Sequence, residues 1–169
     1  MKILIFSDSH GRQSNMQKAL NAHPDAELLL FLGDGINDIK QITDNTERKI
    51  PLYAVRGNCD IGLTVLREYS DRQVFSVMGK NIFMCHGHRY GIGNGSGALL
   101  YAAMEAEAQI CLYGHTHVKH NEYLPDAGKN GLYLFNPGSI TIPRDCMTPS
   151  YGILEIRENG ILLSHGYIH

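Results

Sequence analysis

The sequence predicts an α/β fold in which two sheets pack face to face with helices outside. Three observations lead there. Short apolar runs alternate with amphipathic segments through residue 55, the remainder is richer in strand patterns, and polar clusters of Asp, Asn and His follow five of the apolar runs. Residues 2–7 read as a buried strand ended by a polar loop. Residues 13–22 have helical character, with Pro24 just beyond as a stop. Residues 27–32 form a second buried strand closed by Gly33-Asp34. Residues 36–42 form a helix, and residues 51–55 a third strand closed by Gly57-Asn58. This β-α-β-α-β order implies neighbouring parallel strands covered by helices.

The pattern then changes. Residues 73–77 and 82–85 suggest a hairpin turning at Gly79-Lys80-Asn81. Residues 98–107 make a helix and residues 110–113 a buried strand. Strands follow at 122–124, 132–135, 152–157 and 161–167, with Asn159-Gly160 as the turn between the last two. No repeat, low-complexity tract or linker interrupts the chain, so one domain over residues 1–169 is expected.

Composition narrows the function classes. Fifteen basic and 17 acidic residues give a formal charge of -2, which offers no general attraction to nucleic acid or membranes. No apolar run approaches the roughly 18 residues that span a bilayer. The apolar stretch at residues 3–6 is far shorter than the about 7–15 residues of a secretory core, and Asp8 follows it closely. Cys59, Cys85, Cys111 and Cys146 are scattered without a Cys-x-x-Cys pair. Free thiols in a cytoplasmic protein are expected, with Cys85 and Cys111 buried in strands.

The chemistry lies in the polar clusters. Asp8-Ser9-His10 follows the first strand, Gly33-Asp34 the second and Gly57-Asn58-Cys59-Asp60 the third. His86-Gly87-His88 follows the hairpin, and Gly114-His115-Thr116-His117 the next strand. Loops after parallel strands emerge on one edge of a sheet, where ligands bind in open α/β folds. Carboxylate oxygen and neutral imidazole suit borderline divalent metals. Seven candidates (Asp8, His10, Asp34, Asn58, His86, His115 and His117) are too many for one tetrahedral ion. They suit two ions sharing a carboxylate bridge, a recurrent device of phosphoryl chemistry. Each motif alone is ordinary: a Gly-Asp is usually a turn, and a His-x-His usually a surface or core pair. The weight rests on all five in order, each at a strand end.

Taken together, these motifs resemble the calcineurin-like metallophosphoesterase superfamily over nearly the whole chain. Gly57-Asn58-Cys59-Asp60 and Asn136-Pro137-Gly138-Ser139 look like its small phosphodiesterase branch. The resemblance implies a four-layer α/β/β/α sandwich of two mixed sheets. It implies that Asp8, His10 and His117 hold one metal, that Asn58, His86 and His115 hold a second, and that Asp34 bridges them. Asp34, Asn58 and His86 are taken as catalytic as well as ligating. The implied reaction is attack of a metal-bound hydroxide on phosphorus. Many relatives carry a proton-donating His where this chain has Cys59, so catalysis without a strong general acid there is expected. Asp60 is expected to orient a ligand or its loop.

Other candidates are Arg12 and Arg144 as phosphate contacts, His88 near the substrate, and the glycine-rich residues 91–97 as a rim over the site. For each of these a surface or structural role competes. His120, His165 and His169 read as structural or exposed. The function expected is a phosphodiesterase with two divalent ions per chain, Mn first and Ni, Fe or Zn as alternatives. Its partner would be a small phosphodiester, not a membrane, with nucleic acid a secondary substrate at most and homo-oligomerisation left open. The alternatives are a phosphomonoesterase or nuclease of the same fold, or a binding scaffold like the related retromer subunit.

Overall fold

The computed structural model describes residues 1–169, the side chain of Leu63 excepted. Strand β1 (Lys2–Phe6) runs parallel to β2 (Leu28–Phe31), which runs parallel to β3 (Leu52–Ala54). Residues 3–6 and 28–31 are buried throughout, which is why both strands read as continuous apolar runs rather than as alternation. Helix α1 (Ser14–Ala22) places Met16, Ala19 and Leu20 on one face against Leu4, Phe6 and Leu29. Helix α2 (Ile36–Asn45) does the same with Ile36, Ile39 and Ile42.

A six-residue helix, α3 (Leu63–Glu68), escaped the sequence reading. It is too short to show a period, and Val65 is its residue in the core cluster.

The second sheet begins with the hairpin of β4 (Arg72–Val77) and β5 (Lys80–Cys85). Its loop is Met78-Gly79, tighter and earlier than the expected turn. Both loop residues have positive φ, 48° and 73°, the geometry that matches strand twist in a two-residue connection. Two 3-10 turns, His88–Tyr90 and Ile92–Asn94, lead into α3's counterpart on this side, α4 (Gly97–Glu105). Strand β6 (Ile110–Leu112) lies parallel to β5 and to β8 (Leu132–Pro137). Strand β7 (Lys119–Leu124) is an antiparallel edge. It starts three residues before the expected 122–124 because its solvated side chains hide it.

The chain returns to the first sheet with β9 (Ser150–Arg157) and β10 (Gly160–Tyr167). Here the loop is Glu158-Asn159, one residue before the expected Asn-Gly. The observed register sets Ile156 opposite Ile161 and Leu154 opposite Leu163. A loop one residue later would leave Ile161 facing Glu158, so the apolar pairing fixes the register.

The sheet orders are β10-β9-β1-β2-β3 and β4-β5-β6-β8-β7. Ile3, Ile5, Leu28 and Leu30 of the first meet Ile82, Met84, Ile110 and Phe135 of the second in a shared core. Helices α1, α2 and α3 cover the first sheet, and α4 covers the second through Leu99 and Ala103. The result is the four-layer sandwich expected. Cys85 and Cys111 are buried in it, whereas Cys59 and Cys146 are exposed free thiols. No helix of the described residues is long and apolar enough to cross a membrane.

Candidate metal centre

The loops after β1, β2, β3, β5 and β6 converge, and six of the seven expected ligands are joined there by short contacts. Asp8 is fully buried. Its Oδ2 accepts hydrogen bonds from Ser7 Oγ (2.6 Å) and His115 N–H (3.2 Å), which turns Oδ1 into the site. His117 Nε2 lies 3.2 Å from that Oδ1 and 3.2 Å from His10 Nε2. His86 Nε2 lies 3.4 Å from Asp34 Oδ2 and 3.9 Å from Asp8 Oδ1. His10 Nε2 is 4.0 Å from Asp34 Oδ2. The His115 ring sits 5.1 Å from that of His86, centroid to centroid.

The imidazoles are aimed by their far nitrogens. His86 Nδ1–H donates to Leu32 O and His117 Nδ1–H to Ile142 O, each at 2.7 Å. A carbonyl can only accept, so both Nε2 lone pairs are presented to the cluster. Asp34 Oδ1 accepts the Cys59 N–H at 2.7 Å, leaving Oδ2 for the site. Asn58 is exposed at the edge, its Nδ2 donating to Cys59 Sγ.

The backbone is bent to serve this arrangement. Asp8, His10, Asp34, His115 and His117 all have positive φ, and Met78 and Glu107 complete the set of non-glycine residues among those described. Such conformations cost roughly 1–3 kcal/mol each and persist where surrounding structure enforces them. Gly33 and Gly57 let two loops pass back to back. A Cβ on Gly33 would lie 2.5 Å from Gly57 N, and one on Gly57 would lie 2.1 Å from Asp34 Oδ1.

Asp60 lies where two of these loops meet. Its carboxylate accepts from the backbone N–H of Asp34, Gly35, Ile36 and Gly57 at 2.7–2.9 Å. It thereby ties the second and third ligand loops together at the start of α2. Sequence reasoning missed a second brace. Ser139 Oγ and Thr141 Oγ1 both donate to Asp8 O, and Thr141 Oγ1 also reaches Ser9 O. Asn136 Nδ2 donates to Gly114 O. The segment of residues 136–139 was singled out in the sequence, but its reach to Asp8 spans more than 130 residues and leaves no local trace. Arg12 is exposed and its side chain makes no hydrogen bond or ion pair among the described residues. His88 sits beside His86 and His115, at 5.4 and 6.1 Å between ring centroids. A separate cavity of about 340 Å³ near Leu20, Ile42 and Arg48 includes none of these residues.

Charge explains what the cluster wants. Burial works against ionising Asp34, but hydrogen bonding and attraction from His86 and the Cys59 N–H hold its carboxyl well below the usual range. Burial alone would lower the pKa of His86; the Asp34 and Asp8 carboxylates overcome this and raise it. Asp8 likewise raises His117. His115 is lowered by burial and by the charge of His86. The Asp8 and Asp34 carboxylates thus draw positive charge into the site, as they would draw a divalent ion.

The donor set passes an independent test for metal. Among the described residues, the buried side-chain polar atoms without a hydrogen-bond partner are Asp8 Oδ1, His86 Nε2 and His88 Nδ1. Unpartnered buried polar atoms are costly and rare. Here all three lie in one site, two of them on expected ligands. Three groups of donors each fall within 4.8 Å of one another: Asp8, His10 and His117; Asp8, Asp34 and His86; His10, Asp34 and Cys59. Oxygen and imidazole donors, with one thiol, in overlapping triplets fit divalent metal, although His115 belongs to none of the three.

The family model described as the calcineurin-like phosphoesterase superfamily domain matches residues 1–159. The chain belongs to the calcineurin-like phosphoesterase superfamily. As a phosphoesterase it is a hydrolase of phosphoric esters, and its family implies divalent metal at this centre. The probable metallophosphoesterase YsnB of Bacillus subtilis (strain 168) is 31% identical over 159 residues, covering 94% of this chain and 86% of YsnB. Phosphodiesterase YfcE of Escherichia coli (strain K12) is 29% identical, covering 92% and 88% of the two chains. A solved structure from Streptococcus pneumoniae TIGR4, described as a predicted phosphoesterase, superposes with a TM-score of 0.78 at 27% identity. It covers 97% of this phosphoesterase and 87% of that chain.

Proposed function

We propose that this phosphoesterase is a dinuclear metal-dependent phosphodiesterase acting on small phosphodiesters. Asp8, His10 and His117 would hold one divalent ion and Asn58, His86 and His115 the other, with Asp34 as the carboxylate shared between them. The observation that carries the reading is the pair of buried, unpartnered ligand atoms, Asp8 Oδ1 and His86 Nε2, facing one cluster. When bound, the ions would lower the pKa of water toward neutrality and offset charge on phosphate oxygens. Manganese is the first ion proposed, with Ni, Fe or Zn as alternatives. The name phosphodiesterase borne by the E. coli relative supports the diester over the monoester.

The chain's own residues position rather than exchange groups. Leu32 O and Ile142 O fix the two imidazoles, and the Cys59 N–H fixes Asp34. In place of an imidazole, Cys59 offers a thiol, whose ordinary pKa of about 8.5 makes it a poor proton donor to a leaving group. A positioned general acid contributes about 10²–10⁴-fold. Without one at Cys59, the rate depends on how well the leaving group carries charge alone.

The test is a series of aryl phosphodiesters and the matching monoesters, assayed with Mn. Diesters are expected to show the higher kcat/KM, with a steep fall as the leaving phenol becomes less acidic. Preference for monoesters would refute the diesterase reading. A shallow slope would place a proton donor elsewhere, His88 being the nearest candidate.

A further inference from the structure

A cavity of about 500 Å³ opens beside His115, between the first 3-10 turns and the start of β7. That volume is within the range of about 300–1,000 Å³ that takes ring-sized ligands. Its walls are of two kinds. Ile92 and Val118 are apolar, and the buried Tyr113 adds an aromatic surface, held by a hydrogen bond between its hydroxyl and His120 Nδ1. The other wall is basic, but most of its charge is already answered. Lys119 Nζ pairs with Asp145 at 2.8 Å, and His120 Nε2 faces Glu122 at 3.3 Å.

Arg144 differs. It lines the same cavity, and among the described residues no carboxylate lies within ion-pair distance of it. Its backbone N–H donates to His117 O at 2.9 Å, which ties it to the ligand loop. An exposed guanidinium without an acid partner, lining a pocket with apolar and aromatic walls beside His115, suits a planar anion.

We infer that this cavity seats one alcohol group of the substrate diester and favours a flat, apolar group carrying an anionic substituent, which pairs with Arg144. The inference rests on the diesterase reading and adds the class of diester: one whose arm bears a carboxylate or second phosphate. Lys119 contributes shape more than charge, because Asp145 pairs with it.

The experiment compares two diesters of equal size in the metal-loaded protein. One is para-nitrophenyl para-carboxyphenyl phosphate, the other its neutral para-carbamoylphenyl analogue, and loss of each is followed by chromatography. The carboxylate diester should be favoured in kcat/KM by about fivefold, through KM, as a partly exposed charge pair of about 1 kcal/mol gives. Arg144→Gln should erase that ratio, and Arg144→Lys should keep part of it. A wild-type ratio near one, or a ratio that survives Arg144→Gln, overturns the inference while leaving the diesterase reading standing. If the metal-loaded protein cleaves neither diester, the diesterase reading fails and the inference falls with it.

Discussion

Asp34→Asn is expected to abolish diester hydrolysis while leaving the fold intact. The carboxylate is buried, with Oδ1 held by the Cys59 N–H and Oδ2 3.4 Å from His86 Nε2. The amide keeps the first contact through its oxygen. Its NH₂ group then faces His86 and His10 with donors where acceptors are needed. One negative charge is lost from the centre of a site whose histidines depend on it, as the raised pKa of His86 attests. A loss of at least about 10²–10³-fold in kcat is expected, comparable with removing one preorganised electrostatic contact from an active site. Metal binding should weaken, and the circular dichroism spectrum should not change. Full activity with undiminished metal content would exclude a bridging carboxylate at this position.

Asp60→Ala should act on stability first. Four backbone N–H groups converge on this one carboxylate, three of them at the start of α2. Removing it strips those donors of their acceptor in a partly buried loop. The expected cost is about 3–5 kcal/mol, in the upper range for loss of a hydrogen-bond network. For a chain of this length that corresponds to a fall in Tm of roughly 10 °C. Activity should fall with it, because the same bonds place Asp34 and the Asn58 loop. Asp60→Asn, which keeps one oxygen, should recover part of the loss. A melting temperature within about 2 °C of wild type would show that water replaces the carboxylate at little cost.

The parts of the fold that were legible in the sequence are those governed by local physics. Parallel strands buried on both faces, such as β1 and β2, write themselves as unbroken apolar runs, and the ligands follow as the first polar residues after them. Edge strand β7 was half legible, because polar residues such as His120 and Asn121 are held in the strand by pairing with β8. Both hairpin loops shifted by a residue or more, since the register obeys pairs such as Ile156 with Ile161, which no turn dipeptide encodes. At the candidate site, the proposed donors stand out in the sequence because their types are chemical. The braces do not: Ser139, Thr141 and Ser7 are common residues, and only the folded chain brings them to Asp8. Arg144 was a candidate phosphate contact in the sequence, but its place on a cavity wall appears only in the folded chain.

The measurement that tests the central claim most directly is a metal titration of stripped protein. Manganese would be added stepwise while bound ions per chain and hydrolysis of an activated aryl diester are followed together. The proposal predicts no turnover without metal, and activity that reaches its plateau only as a second ion per chain is bound. Full-rate hydrolysis by protein verified free of metal, or a plateau reached at one ion, would contradict it.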